Sequence, residues 1–158
     1  DLSIPTANNF TINGQEVSSN KGAGNWYPIF LQTRLNGKKY FEMEIAGIVN
    51  NGIMIGVGAE SMKVATPNNY SNVDSLILYP AGSVLYYAGT SKSAPHSWTT
   101  SDRITVKVDL IRNSVEWEQS YPLFKSIIKC AIPQPLLAKN LYPVIFMLET
   151  YNDRVRFI

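Results

Sequence analysis

Glu42 and Glu44 are the pair in this 158-residue chain whose type and spacing most invite chemistry. Residues two apart on a strand share a face, so their carboxylates would lie within roughly 7 Å of each other. Retaining glycoside hydrolysis uses two carboxyls about 5 to 5.5 Å apart. A hydrolase site on the surface of a sheet is therefore one reading, and a solvated face whose acids pair with Lys39, Lys107 or Arg112 is the plainer one. Other routes to catalysis are poorer. The single histidine, His96, sits in Ala94-Pro95-His96-Ser97 with no orienting carboxylate near it in sequence, which argues against a nucleophile–base triad. Gly22-Ala23-Gly24 lacks the Lys-Ser/Thr of a phosphate loop and precedes a strand pattern rather than a helix. One His and one Cys cannot make a closed zinc site, which wants four N or S ligands. Cys130, in the apolar run 127–132, reads as a core thiol. The expectation is a protein that is not an enzyme and holds no metal and no cofactor.

The elements that must position Glu42 and Glu44 are strands. Over residues 37–45, Phe41, Met43 and Ile45 alternate with Tyr40, Glu42 and Glu44, the pattern of a strand with one side in a core. Residues 52–58 carry no charge. They read as a central strand buried on both faces, with Gly56 and Gly58 allowing close approach of a neighbour. Asn51-Gly52 between them is a strong turn dipeptide, which predicts an antiparallel hairpin. Asn13-Gly14 predicts another hairpin over residues 10–18. Residues 26–33 form a strand that Pro28 confines to an edge or a strand start, with Trp26 and Tyr27 at the rim. The polar segment 59–72 is too long for a tight turn and reads as a functional or mobile loop. A hairpin over residues 75–88 puts Tyr86 and Tyr87 on opposite faces, and residues 89–102 read as a loop holding His96 and Trp98. Ile104, Val106, Val108 and Leu110 alternate with Thr105, Lys107 and Asp109, followed by Val115 and Trp117 pointing inward. Residues 124–132 make a further strand, and residues 142–148 and 154–158 a last hairpin. Ten to twelve short strands and no helical stripe imply an all-β, two-sheet antiparallel β-sandwich.

At this length one domain is the simplest organisation, residues 1–158, large enough to bury about two-thirds of its unfolded surface. With 45% hydrophobic and 16% charged residues the chain is globular, and nine Tyr, six Phe and three Trp favour strands. A net charge of +2 leaves no footprint of nucleic-acid or membrane binding. One unpaired Cys, no signal peptide and no apolar stretch long enough to span a bilayer point to an intracellular, cytoplasmic protein. The sequons at Asn9 and Asn69 would be glycan acceptors only in a secreted context. A start at Asp1 suggests a domain excised from a longer protein.

Four segments carry a family resemblance. "GKKYFEMEI" followed by "GIMIGVG" resembles the "GKYYFEVEI … IGV" core of SPRY domains. Residues 109–117 are similar to that family's "DLdngtvsF" segment, with Trp117 where Phe is usual, and Leu141-Tyr142-Pro143-Val144-Ile145 is similar to its "LYPvv" strand. The family's "sWGw" stretch is absent, and residues 75–79 stand in its place. The resemblance implies a concanavalin-like or jelly-roll sandwich acting as an adaptor, a non-catalytic protein-interaction module, monomeric as an isolated domain. It also implies that a peptide or protein partner is gripped by loops at residues 21–27, 63–72 and 150–152. By loop position the contact residues are Trp26, Tyr27, Asn69, Tyr70 and Tyr151. The same exposed aromatics would suit a carbohydrate-binding, lectin-like module, which stands as the alternative beside the Glu42/Glu44 glycoside hydrolase.

Overall fold

A computed structural model describes residues 2–3, 10–20, 22, 24–35, 37–46, 52–63, 67–94, 101–121, 123, 126–149 and 153–158. Fourteen strands form among them. In chain order they are β1 (Leu2–Ser3), β2 (Phe10–Asn13), β3 (Glu16–Ser19), β4 (Trp26–Leu31), β5 (Lys38–Ala46), β6 (Ile53–Ala59) and β7 (Ser75–Tyr79). After these come β8 (Val84–Tyr87), β9 (Thr90–Ser93), β10 (Arg103–Asp109), β11 (Ser114–Tyr121), β12 (Ser126–Ala131), β13 (Leu141–Leu148) and β14 (Arg154–Phe157). A 3-10 turn at Glu60–Lys63 and one helical turn, α1 (Gln134–Leu137), are the other regular elements. Among the described residues no helix is long and apolar enough to cross a membrane.

The strands make two seven-stranded antiparallel sheets. Sheet I has the order β1-β4-β13-β6-β7-β8-β9 and sheet II the order β12-β11-β10-β5-β14-β3-β2. The all-β sandwich expected from the strand count is what the chain builds. Two of the expected hairpins are not. β5 and β6, joined across Asn51-Gly52, lie in different sheets: β5 pairs with β10 and β14, and β6 with β13 and β7. β13 and β14 are likewise split between sheets I and II. In both cases the connection passes from one layer to the other, because each strand finds its partners far away in sequence. The hairpins at β2–β3 and β7–β8 form as expected, the first with Gly14 at φ +63°, where a side chain would strain the turn. Residues 89–102, read as a loop, contain β9, the edge strand of sheet I.

Alternation accounts for the core. Ile104, Val106 and Val108 of β10, Met43 and Ile45 of β5, and Val115 and Trp117 of β11 all point into the space between the sheets and are buried. Trp117 is fully buried, and its indole N–H reaches across the core to donate to the Ile55 carbonyl of sheet I at 3.1 Å. A buried indole that keeps its hydrogen bond adds its large area at no polar penalty. β6 is buried along its whole length, as its uncharged sequence required. Gly56 is obligatory there, because a Cβ would lie 1.9 Å from the Leu76 carbonyl oxygen. Pro28 also fits its place. It faces Phe146 of β13, while β1 reaches only Phe30 and Leu31, so the missing N–H falls where β4 has no described strand on its other side. Cys130 is only half-buried, on the edge strand β12, where it packs against the core and burial pushes its thiol pKa up.

Candidate protein-interaction face

The outward side of sheet I is apolar. Phe30 of β4, Val144 and Phe146 of β13, Met54 of β6 and Ile77 of β7 form a second buried cluster there, separate from the core between the sheets. Apolar residues on both faces of a strand require a cover on the outside. Part of it comes from the 59–72 segment, read from sequence as a loop. Met62 of the 3-10 turn is buried in this cluster, and Tyr70 packs on it half-buried.

The segment is fastened to the start of β4 through Asn68. Its backbone N–H donates to the Trp26 carbonyl at 2.8 Å, and its side-chain oxygen accepts the Trp26 N–H at 2.9 Å. Its side-chain amide also donates to the Asn25 side chain at 3.0 Å. Asn68 sits at φ +62°, a left-handed conformation that Asn tolerates better than most residues. The last turn of the clasp comes from the end of β13. Asn25 N–H donates to Glu149 Oε2 at 3.1 Å, and Glu149 N–H to the Asn25 carbonyl at 3.0 Å. Gly22 rests directly against that side chain, where a Cβ would come within 2.8 Å of Glu149 Cβ. The described parts of two of the loops singled out from sequence, 21–27 and 63–72, therefore meet at one end of the sandwich beside Glu149, while residues 150–152 lie outside the described residues.

Above Phe146 the clasp assembles an aromatic group. Trp26 meets Tyr70 at 6.0 Å and Tyr79 at 5.4 Å, both edge to face, and Tyr70 meets Tyr86 at 5.0 Å and Phe146 at 6.3 Å. All four outer rings are half-buried. Burial, and then the neighbouring Tyr70, raise the pKa of the Tyr79 and Tyr86 hydroxyls, so these phenols stay neutral at physiological pH.

Of the residues expected from sequence to touch a partner, Trp26 and Tyr70 share this face, and Asn69 lies beside Tyr70 with its carbonyl accepting from the Asn72 amide at 2.7 Å. Tyr27 does not join them. As the next residue of β4 it points the other way and packs edge to face on Phe10 at 6.0 Å, at the margin of the inter-sheet core. Tyr151 lies outside the described residues, as do His96 and Trp98. Tyr79, Tyr86 and Asn68 were passed over. The opposed directions of Tyr86 and Tyr87 were legible, but not which of them looked outward.

The carboxylate pair sits elsewhere, on the outer face of sheet II. Glu44 is bound by Arg156, and by Arg103 at 3.3 Å. Two of the expected partners are engaged elsewhere, Lys107 with Glu118 at 2.7 Å and Glu116 at 3.6 Å and Arg112 with Asp109, while the Lys39 side chain lies outside the described residues. Glu42 borders a groove of about 480 Å³ with Leu31, Leu35, Tyr40, Pro143 and Ile158. Among the described residues no three His, Cys, Asp or Glu side chains gather as a metal site would require.

No protein-family model and no curated protein matches the chain. Solved structures do match, and they define the class as an antiparallel sandwich of the SPRY type. The SPRY domain of human HERC1 superposes with a TM-score of 0.74 at 17% identity, covering 98% of this chain and 96% of that one. The TRIM65 PSpry domain gives 0.75 at 16% identity, covering 100% and 92%. Stonustoxin gives 0.73 at 13% identity, over all of this chain and 27% of its own. The chain has a SPRY-like fold, as its four sequence blocks implied.

Proposed function

We propose that this SPRY-like domain is a non-catalytic protein-interaction module that takes a short segment of a partner protein on the aromatic face at the clasped end of sheet I. The observation that carries the reading is the clasp itself. Asn68 holds two chain segments more than 40 positions apart so that Trp26 and Tyr70 pack together, half-buried, on a rigid sheet. Aromatic anchors on a preformed scaffold supply most of the energy in many interfaces. In this reading residues 1–158 are one interaction domain of a longer protein, monomeric alone, with Trp26, Asn69, Tyr70 and Tyr151 in the contact set and Tyr27 supporting them from behind.

Affinity capture with the wild-type chain and with the W26A and Y70A variants tests this. Partners retained by the wild type and lost by both variants are expected; partners retained equally by all three would place binding elsewhere. The hydrolase reading is weakened by the two guanidinium groups that hold Glu44. Turnover of a β-glucan panel by wild type but not by E42Q/E44Q would revive it.

A further inference from the structure

Each sheet has two edge strands, and three of the four are blunted. β1 is two residues long, and β2 and β9 are four each. β9 is polar and exposed throughout, with Lys92 in it, and β2 exposes Ile12 as its one apolar side chain. Short strands and charged side chains are how natural sheets keep other chains off their edges. β12 differs: it runs for six residues and carries Ile127 and Ile128.

The hydrogen-bonding phase of β12 follows from its end. The Ile132 N–H donates to the Asn113 carbonyl at 2.8 Å, one step beyond the paired residues Ala131 and Ser114. Bonded and non-bonded pairs alternate along an antiparallel ladder. The bonds to β11 therefore fall at Cys130–Val115 and Ile128–Trp117, and the N–H and C=O groups of Ile127, Lys129 and Ala131 point away from it. Among the described residues only the Cys130 thiol reaches this row, a weak donor to the Ala131 carbonyl at 3.2 Å. The side chains sort in the same way. Ile127, Lys129 and Ala131 are exposed on the outer face, Ile127 by 48%, while Ile128 and Cys130 turn inward onto the core and are only half-buried. Lys129 stands opposite Glu116, but that carboxylate is held by Lys107 at 3.6 Å, and among the described residues no acid pairs with Lys129.

We propose that β12 takes an added antiparallel strand from a partner protein, an extended segment with Asp or Glu opposite Lys129 and β-branched apolar residues on either side of it. The main-chain groups of Ile127, Lys129 and Ala131 supply the ladder, as strand addition to an open edge requires. The acid pairs with Lys129 across the outer face. Its apolar neighbours lie over Cys130 and Ile128 and complete their burial. This edge belongs to sheet II, and the inference does not depend on the aromatic face of sheet I.

The test uses the capped peptide Gly-Thr-Val-Glu-Val-Thr-Gly and a counterpart with Lys in place of Glu, titrated into the 158-residue chain while backbone amide resonances are followed by nitrogen-15 NMR. The Glu peptide is expected to shift Ile127, Lys129 and Ala131 and to bind at least about threefold more tightly than the Lys peptide, the scale of a cross-strand charge pair. In K129E the preference should reverse. Two N-methylated forms read the strand pairing itself. In the proposed register the Glu N–H donates to β12 and both Val N–H groups point away, so a methyl on the Glu nitrogen should abolish binding and one on a Val nitrogen should not. W26A should leave the titration unchanged. Undiminished binding of the N-methyl-Glu peptide would overturn strand addition, and equal affinity of the Glu and Lys peptides would overturn the acidic assignment. Resonances of residues 127–131 that no peptide moves would overturn the proposal outright. So would their movement when the chain alone is concentrated, which would give the edge to a second copy.

Discussion

The two outward faces of the sandwich are made of opposite materials. On sheet I the outward positions of β4, β13, β6 and β7 are Trp26, Phe30, Phe146, Val144, Met54, Ile77 and Tyr79. On sheet II one row crossing four strands reads Arg156, Glu44, Arg103, Tyr121, with Arg103 stacked 4.0 Å over the Tyr121 ring. Further along the same β10–β11 pair, Lys107 lies between Glu116 and Glu118. The inward faces are alike, so the contrast does not come from the core. It comes from what lies above each sheet. The 3-10 turn and the Asn68 clasp cover part of sheet I, and apolar rings are stable beneath and beside them. On sheet II the outward side chains are largely charges paired with one another, with Tyr40, Tyr121 and Ile127 exposed among them. In the function proposed above, it is the apolar face with half-buried rings that takes the partner segment.

Trp117 supports both faces, so W117A should have the largest effect. Truncating a fully buried large aromatic costs on the order of 3 to 5 kcal/mol. Denaturant titration measures it, and a loss under about 1 kcal/mol would mean that β11 is in the wrong register. Next, Tyr70 belongs to one face alone. It contacts three other rings, and aromatic pairs contribute roughly 0.5 to 1.5 kcal/mol each. Y70A should therefore lower the melting temperature by several degrees, and also weaken partner binding by about 2 kcal/mol or more. A lower melting temperature with an unchanged dissociation constant would reduce Tyr70 to a pin for its own loop.

On the charged face, E44Q should cost about 1 kcal/mol or less, and the loss should shrink in high salt, as expected of partly exposed ion pairs. A cost above that of Y70A would reverse the order of the two faces. The smallest effect belongs to Asp74, at the foot of the clasped segment. Its bond from Lys139 holds its carboxyl below the usual range. A depressed folded-state pKa gives stability that is present above the unfolded value of about 3.9 and is lost as pH falls through the folded value. The melting-temperature gap between wild type and D74N should therefore be constant near neutrality and close below about pH 4; a gap that widens on acidification would contradict the pairing.

What the sequence disclosed was local. The alternation in β10 and β5 told which side chains turned inward, and the uncharged run of β6 told that both its faces were covered. Asn13-Gly14 placed one hairpin correctly. Asn51-Gly52 misled, because a turn dipeptide marks a change of direction and says nothing of which layer the chain then enters. That choice is made by β13 and β10, which lie far downstream. The proposed face was legible in the same partial way. Trp26 and the 63–72 segment were picked out by aromatic and turn composition, but the Asn68 bonds to Trp26 and Asn25 link positions 42 and 43 apart, and no local pattern encodes them. The partners of Glu44 were missed for the same reason: Arg156 is 112 positions away.

The place of β14 has a consequence for timing. It lies between β5 and β3, and the Ser19 amide bonds to the Asp153 carbonyl, 134 positions later. On a ribosome adding about 5 to 20 residues per second, the β2–β3 hairpin would emerge roughly 7 to 27 seconds before the strand that seats it. An isolated hairpin is marginally stable at best in water. During that interval the edge of β5 that β14 will occupy stays open, a template for any stray strand. This domain must finish folding after its last strand has left the exit tunnel, and until then it is a natural client for the chaperones that shield unpaired edges.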